Sequence, residues 1–419
     1  MQDRKSYLEA LFRAAIKSAD PVNAIPQHLP PRPEGRVVVI GSGKASARMA
    51  EVVEQVWGPV EGLIITRYGY ARPTQKIRIV EAAHPVPDRA GLEATQQMFD
   101  LLSSCGQGDT VLALMSGGAS ALLSCPSAGM TLADEQELHQ ALLSSGAPIS
   151  TMNLIRKHFS GVKGGQLAAA AYPAEVIGLL ISDVPGDDPG EIGSGPTVGE
   201  DRPESTACAA AQQIGLGALI ERLGGARAST VVPTQDPRLS TTTNRIIAAP
   251  MQALEAAASA AGRSVRVEIL GDALEGEAAE LARAQVALAK TRQKTLGKDE
   301  TLLLLSGGEC TVSGRGSGVG GPNAEFALSA AIALGDHTGI AILAGDTDGV
   351  DGAAEVAGAF VDGTTLARAK AASLDPEDAL KAHDSHSFFA QLGDQILTGP
   401  TLTNVNDFRA ILIEGCEVA

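Results

Sequence analysis

A glycine-rich turn, Gly41-Ser-Gly-Lys-Ala-Ser46, follows a strongly apolar run and precedes a helical pattern. Glycine permits tight turns, and the start of a helix presents N–H donors to an anion. Lys44 falls in the first helical turn, where a positive charge is unfavourable against the helix dipole unless an anion binds there. The turn therefore favours an anion site that includes Lys44. A tight turn with an exposed lysine is the alternative.

Two Ser-Gly-Gly segments repeat this theme, each directly after an apolar run. Backbone N–H groups of such loops form anion nests, and serine hydroxyls add donors. We expect both loops to hold phosphate groups, while a purely structural turn is the alternative reading. The residues concerned are Ser116, Gly117, Gly118 and Ser120 in the first segment, and Ser306, Gly307, Gly308 and Glu309 in the second.

Two polar loops carry clustered carboxylates. Asp183 and Asp187 follow an apolar run, and either is a candidate for a general base or for contact with Mg²⁺ through water. Asp346 and Asp348 repeat the pattern in the second half, in a spacing that is not an EF-hand loop. Solvated turn carboxylates are the alternative for both loops. After Asp187, the segment with Ser194, Gly195 and Thr197 is suited to wrap another phosphate.

Cations concentrate in the segment 153–167, although the chain as a whole is acidic. Arg156, Lys157, His158 and Lys163 lie within it. Such a cluster is suited to hold a phosphate or a carboxylate, and a solvated helix face is the alternative. His84 ends a strand and is a candidate for substrate contact, although a lone histidine is more often structural.

Composition excludes several classes of protein. A net charge of −16 and only 3% aromatic residues disfavour binding of nucleic acids, which needs cations and stacking platforms. No segment reaches the 18–20 apolar residues of a membrane span. Five cysteines without a Cys-x-x-Cys pair indicate a reducing cytoplasm. The sequence does not fix the oligomeric state and leaves a homodimer open.

An alternation of apolar strands and alanine-rich helices predicts an α/β fold with two α/β domains. The first is expected to be a Rossmann-like, doubly wound parallel sheet. Residues 198–240 lose the rhythm, so we place the boundary at 235, with an N-terminal helix at 5–19 in the domain 1–235 and a second α/β domain at 236–419. The predicted strands are 37–40, 63–66, 77–80, 111–115 and 176–181 in the first domain, and 265–270, 302–305, 340–343 and 410–413 in the second. Because ligands bind beyond the carboxyl ends of strands, we expect the site in the cleft between the domains.

These segments together resemble one family, the class II glycerate kinases (glycerate 2-kinases), whose C-terminal part is the MOFRL domain. The matching stretches span nearly the whole chain, and Leu397-Thr-Gly-Pro-Thr-Leu-Thr-Asn-Val-Asn-Asp407 is the most specific. The stretches that match the family are residues 41–46, 81–91, 116–123, 157–167, 182–197, 306–328, 344–363 and 383–407.

The resemblance implies phosphorylation of D-glycerate to 2-phosphoglycerate by Mg²⁺-ATP. Some members carry the name hydroxypyruvate reductase, so an NAD(P)H-dependent reductase is the alternative. Against it, Ser46 stands where a dinucleotide fingerprint has its third glycine, and the next strand ends in Thr66-Arg67 without a ribose-binding carboxylate. Arg67 leaves an NADP reading open.

The resemblance places the family's catalytic lysine on Lys44. We expect Asp187, with Asp183 as second choice, to accept the proton of the substrate hydroxyl. The family often carries an arginine where this chain has Pro322, and Arg315 is the candidate substitute. A family tyrosine is replaced by His386. The expected substrate contacts are His84, Lys163, Ser120 and Asn404, and the expected Mg²⁺ contacts are Asp187, Asp346 and Asp348.

Overall fold

The structure, a computed structural model, describes residues 4–224, 231–314, 316, 318–352 and 354–415. It divides into two compact units. Residues Pro21–Ala248 form one, which we call the parallel-sheet unit. The chain up to Asp20 and from Ala249 onward forms the other, which we call the mixed-sheet unit. No helix in the described ranges combines the length and the apolar character that crossing a membrane requires.

The parallel-sheet unit has six parallel strands in the order β3-β2-β1-β4-β5-β6. The order reverses direction between β1 and β4, which makes this point a topological switch point. β1 and β4 are buried throughout, as expected of central parallel strands covered on both faces. The elements are α2 (Pro21–His28), β1 (Val37–Ser42), α3 (Ser46–Trp57), β2 (Glu61–Arg67), β3 (Ile77–Ala82), α4 (Arg89–Ser103), β4 (Thr110–Met115), α5 (Ala119–Leu122), α6 (Leu132–Ser144), α7 (Ile149–His158), α8 (Gln166–Ala171), β5 (Glu175–Ile181), α9 (Glu204–Gln213), α10 (Gly217–Gly224) and β6 (Thr242–Ala248).

The mixed-sheet unit has six strands in the order β13-β12-β11-β14-β9-β7, of which only β7 and β9 run parallel to each other. Two short strands, β8 and β10, pair separately. The elements are α1 (Arg4–Ala19), α11 (Pro250–Ala260), β7 (Val265–Gly271), β8 (Gly276–Glu277), α12 (Ala278–Gln293), β9 (Thr301–Gly308), β10 (Cys310–Thr311), α13 (Pro322–Leu334), β11 (Ile340–Asp346), β12 (Gly358–Asp362), α14 (Thr365–Ala371), α15 (Pro376–Lys381), α16 (Ser385–Leu392), β13 (Gln395–Ile396) and β14 (Asp407–Glu414).

The expected α/β class is confirmed, and each strand expected from an apolar run lies within an observed one. The division of the chain differs from the expected boundary at 235. β6 pairs with β5 and completes the parallel sheet, so residues 236–248 stay with it. The N-terminal helix α1 belongs to the mixed-sheet unit, because Tyr7 donates to the Ala261 carbonyl at 2.8 Å and the Phe12 ring lies 5.4 Å from that of Phe408.

Candidate functional site

Loops from four strands meet the carboxyl-end edge of the parallel sheet. They follow β1, β3, β4 and β5, and they carry Lys44, His84, the 116–120 loop and the 182–197 loop. β1 and β4 are neighbours at the switch point, where open α/β sheets bind ligands. Most of the polar residues singled out in the first half of the chain therefore belong to one edge of one sheet.

The turn after β1 is closed by the loop after β4. The Lys44 N–H donates to the Gly117 carbonyl at 2.8 Å, the Ala45 N–H to Ser116 Oγ at 3.0 Å, and the Ser46 N–H to the Gly43 carbonyl at 3.3 Å. Gly43 has φ +135°, and a Cβ there would lie 2.1 Å from Ser116 Oγ. The expectation that the N–H groups of this turn bind an anion is therefore wrong, since protein acceptors already hold them.

The Lys44 side chain lies beside His84 and the glycine loop. A Cβ built on Gly118 would lie 3.4 Å from Lys44 Cγ and 3.3 Å from His84 Nε2. Gly118 has φ +86°, so this position favours glycine for its backbone as well as for space. The three residues therefore form one contiguous group at the sheet edge.

His84 is held neutral in this group. Burial lowers its pKa, and the charges of Lys44, Arg67 and Arg156 lower it further, to about 3. A neutral imidazole in a cationic surrounding offers a hydrogen bond without adding charge. The concentration of cations around it is the electrostatic signature of a site for an anion.

In the loop after β4, one polar group is bound within the protein and two backbone N–H groups can donate to a ligand. The Ser116 hydroxyl is fully buried, accepts from the Ala45 N–H and lies 3.2 Å from Ser46 Oγ. Because protein groups already bind this hydroxyl, we do not retain the expected nucleotide contact of Ser116. The N–H groups of Gly117 and Gly118 have no acceptor within the described ranges. These two amides are the ones that fit a phosphate oxygen.

A hydroxyl pair joins this loop to the one after β5. Ser120 Oγ lies 2.6 Å from Ser194 Oγ, and Ser194 donates to Asn153 Oδ1 at 2.9 Å. Ser194 stands between Gly193 and Gly195, and all three have φ near +60°. Gly193 packs against Ala119 and Gly195 against Gly190 so closely that a Cβ would lie 2.7 Å from Ala119 Cβ and 2.6 Å from the Gly190 carbonyl oxygen.

Thr197 lies further along this loop and faces the sheet rather than the edge. Its hydroxyl donates to Asn244 Oδ1 of β6 at 2.7 Å, and Asn244 donates back to the Thr197 carbonyl. Thr197 is buried, and its hydroxyl is bound within the protein. We therefore do not retain the expected phosphate contact of its side chain.

Two lysines of the cation cluster on and after α7 are bound by protein groups. Lys157 is buried between Glu191 at 3.1 Å and Glu200 at 3.0 Å. Lys163 has no exposed surface, donates to the Leu123 carbonyl at 2.9 Å and lies 3.7 Å from Glu135. Burial lowers the pKa of Lys163, against the attraction of Glu135. We therefore do not retain the expected substrate contact of Lys163, because its ammonium is enclosed by protein partners.

Asp183 and Asp187 are both half-buried on the loop after β5. Asp187 has φ +53° in a 3₁₀ turn, an unusual conformation for a residue with a side chain. Its Oδ1 is buried without a hydrogen-bond partner in the part of the chain that the structure describes. A strained residue with an unsatisfied buried acceptor is typical of a functional position.

The second Ser-Gly-Gly segment is part of a strand rather than a nest. β9 continues through Ser306, Gly307 and Gly308, and β14 pairs alongside it. The carbonyls of Gly307 and Gly308 accept from the fully buried guanidinium of Arg409, each at 3.0 Å. Ser306 Oγ accepts from Gln285 at 3.0 Å. We therefore do not retain the expected phosphate contacts of these three residues. Glu309, which follows them, is exposed.

The expected metal contacts in the mixed-sheet unit bind local backbone instead. Asp346 Oδ1 accepts from the Asp348 N–H at 2.9 Å, and Asp348 Oδ1 accepts from the Val350 N–H at 2.8 Å. Within the described ranges no group of three or more histidine, cysteine, aspartate or glutamate residues is arranged to hold a metal ion. Asn404 likewise accepts from the Asn406 N–H, at 3.1 Å. Mg²⁺ usually keeps several waters and binds to substrate phosphates, so it needs only one or two carboxylates from the protein. Asp187, whose Oδ1 has no partner among the described residues, fits that requirement.

Asp351 binds the first N–H groups of α13 and also contacts His386. Its carboxylate accepts from the N–H groups of Asn323 and Ala324 at 2.9 and 2.8 Å, and lies 3.3 Å from His386 Nε2. Burial lowers the pKa of His386, but Asp351 outweighs it and the net shift is upward. His386 thus has a positioning role at the helix start. Arg315, the candidate substitute for the family arginine, lies outside the described residues.

Comparison with known proteins agrees with this architecture. The model described as a domain of unknown function (DUF4147) matches residues 7–223, and the model of the MOFRL family matches residues 302–407. The crystal structure of a glycerate kinase from Thermotoga maritima superposes with a TM-score of 0.84 at 35% identity, covering 98% of this chain and 99% of that chain.

Two similar proteins carry the names of different enzymes. A protein of Agrobacterium vitis, provisionally named a hydroxypyruvate reductase, is 49% identical over 98% of this chain and 94% of its own length. The D-glycerate 2-kinase of Thermotoga maritima is 36% identical over 96% of this chain and 97% of its own length. The fold and the full-length similarity define a two-unit α/β protein with a MOFRL region. The chain belongs to the glycerate kinase family.

Proposed function

We propose that this protein transfers the γ-phosphoryl group of ATP to D-glycerate and forms 2-phosphoglycerate. The observation that carries the proposal is the cationic edge of the parallel sheet, where Lys44 lies beside neutral His84 and two glycine N–H groups that have no acceptor among the described residues. Phosphoryl transfer asks a protein mainly for positioning and for neutralisation of charge on the moving group. The kinase names of relatives support the same chemistry.

Each polar group at the edge has a role in this proposal. Lys44 stabilises charge on the phosphoryl group in transit, and the N–H groups of Gly117 and Gly118 hold phosphate oxygens. The Ser120 and Ser194 hydroxyls orient the reacting oxygens. Asp187 accepts the proton of the 2-hydroxyl, because the Oδ1 of Asp187 is buried without a partner among the described residues. Asp183 is the second choice.

ATP enters as the co-substrate, and Mg²⁺ bound to its phosphates would supply further charge neutralisation. Asp187 is the carboxylate we assign to that ion, in preference to Asp346 and Asp348, and we assign the contact through water so that the carboxylate can still accept the proton. The Rossmann-like assignment, a shared site in the interdomain cleft, a cytoplasmic location and a homodimer stay predictions.

The reductase alternative is favoured by the names of some relatives and disfavoured by the turn after β1. A dinucleotide pyrophosphate binds at the helix N-terminus of the first βα turn in such sheets. Here the N–H groups of Lys44, Ala45 and Ser46 already donate to protein acceptors. Arg67, which could have met a 2′-phosphate, places its guanidinium 5.3 Å from the centre of the Tyr70 ring.

A paired assay separates the two functions. The purified protein is given ATP, D-glycerate and Mg²⁺, with ADP release coupled to a reporter, and in parallel NADH or NADPH with hydroxypyruvate. We expect ADP release that requires glycerate, and no oxidation of either nicotinamide. Oxidation of NAD(P)H without glycerate-dependent ADP release would overturn the proposal.

A further inference from the structure

Arg156 on α7 has a buried charge without a carboxylate partner among the residues that the structure describes. Only 6% of the residue is exposed, and its Nε is buried without a hydrogen-bond acceptor among the described residues. Its single hydrogen bond in that part of the chain runs from Nη1 to the neutral amide oxygen of Asn153, at 3.2 Å. Buried charges in proteins are normally paired, because an isolated one is strongly destabilising.

The neighbouring lysine shows that this helix can satisfy a buried cation. Lys157, one residue later, lies between two glutamates at 3.1 and 3.0 Å. Arg156 differs, because its charge acts on His84. Together with the charges of Lys44 and Arg67, it lowers the pKa of His84. His139 also experiences the charge of Arg156, and burial with that repulsion lowers the pKa of His139. Burial is the cause that lowers the pKa of Arg156, to about 10, and no carboxylate of the described residues offsets it.

The hydrogen-bond network connects Arg156 to the proposed reaction site. Asn153 Oδ1 accepts both from Arg156 and from Ser194, and Ser194 lies 2.6 Å from Ser120. Asn153 itself is fixed by donating to the Glu191 carbonyl at 3.0 Å. The guanidinium is thus held in place by Asn153, while its Nε and Nη2 have no acceptor among the described residues and can donate to a ligand.

We propose that Arg156 binds the carboxylate of the three-carbon hydroxy acid and thereby sets the specificity for acids over neutral polyols. The inference rests on the proposed function. A guanidinium presents two parallel N–H donors that match a carboxylate, which an ammonium does not. The anion would supply a partner that the described residues do not give the buried charge, while Lys44 and the glycine amides are the groups we assign to phosphate.

The test compares Arg156→Met with Lys157→Met, a matched control on the same helix. We expect Arg156→Met to raise KM for D-glycerate at least about 30-fold, with KM for ATP within about threefold of the wild type. Arg156→Lys should fall between, because it keeps the charge and loses the fork. Without ligands, Arg156→Met should melt at or above the wild-type temperature. Lys157→Met should melt lower, because it removes the buried cation between Glu191 and Glu200 and leaves Arg202 as their remaining cation.

A binding measurement separates failure of this inference from failure of the kinase proposal. D-Glycerate should raise the melting temperature of the wild type but not of Arg156→Met, and glycerol, which lacks the carboxylate, should raise neither. That result would support the carboxylate site even if the wild type released no ADP. An unchanged KM for glycerate, a rise confined to the KM for ATP, or a melting loss equal to that of Lys157→Met would overturn the inference.

Discussion

The hydroxyl groups of Ser120 and Ser194 lie 2.6 Å apart, although 74 residues separate them in the chain. The contact joins the loop after β4 to the loop after β5 and continues to Asn153. Ser194 reaches it only because its backbone adopts φ +62° between two glycines. The protein thus holds a strained backbone in order to align polar groups at the sheet edge.

Substitution of Ser194 should separate activity from stability. Ser194→Gly and Ser194→Ala both remove the hydroxyl, and we expect each to lower kcat/KM about tenfold. Ser194→Gly also relieves the left-handed strain, so it should be more stable than Ser194→Ala by about 1 kcal/mol. Urea unfolding and steady-state kinetics on both variants test this. Wild-type activity in either variant would contradict the role of the hydroxyl pair.

Replacement of Lys44 should remove most of the turnover while leaving the fold intact. Losing one charge-stabilising donor lowers rates by about 10²–10³, so Lys44→Ala should lose at least that in kcat. Lys76→Ala, an exposed lysine of the same unit, is the control and should keep wild-type kcat. A folded Lys44→Ala enzyme within a few-fold of wild type would rule out the assigned role of Lys44.

Gly43 should tolerate no side chain. A Cβ there would lie 2.1 Å from Ser116 Oγ and 2.5 Å from the Ser116 carbonyl oxygen, so Gly43→Ala must separate the loops after β1 and β4. We expect a loss of more than about 3 kcal/mol in the free energy of unfolding. Gly69 also has positive φ but no atom within 4 Å of a built Cβ. Gly69→Ala should therefore lose only about 1 kcal/mol, and equal losses in the two variants would contradict the close approach.

His84 should make the protein less stable in mild acid. Its pKa is about 3 in the folded protein and near 6.5 in the unfolded chain. As pH falls below 6.5 the unfolded chain takes up a proton that the folded protein does not, so stability is present above 6.5 and decreases toward pH 3. Because the ring is half-buried, we expect about 1 kcal/mol from this group between pH 7 and 5.

Urea unfolding of His84→Gln at pH 7 and pH 5 measures that contribution. The loss between the two pH values should be smaller in His84→Gln than in the wild type. The control is His28→Gln, at the last residue of α2, which should follow the wild type. An identical pH dependence in all three proteins would show that His84 is protonated normally in the folded state.

Much of the fold was predictable because the central strands are long apolar runs buried on both faces. β6 was missed because it is an edge strand with a polar sequence, half-exposed from Thr242 to Arg245. Placing α1 with the mixed sheet depends on contacts such as that of Phe12 with Phe408, which are nearly 400 residues apart in the chain and leave no local signal.

The sequence predicted which residue types the candidate site contains. It predicted less well which protein groups bind those residues. Two identical Ser-Gly-Gly segments have different structures, because β4 ends at Met115 before the first whereas β9 runs through the second to Gly308. The cluster on α7 was visible as a charge pattern. Only the folded chain distinguishes Lys157, which has two glutamates, from Arg156, which has none among the described residues.

The most direct test of the central claim is ³¹P NMR of the product formed from ATP and D-glycerate. The account predicts a phosphomonoester signal coupled to the single proton on C2, which identifies 2-phosphoglycerate, and its loss in Lys44→Ala. Coupling to the two protons on C3 would contradict the assigned regiochemistry. Absence of any phosphoglycerate from a folded wild-type protein would contradict the kinase itself.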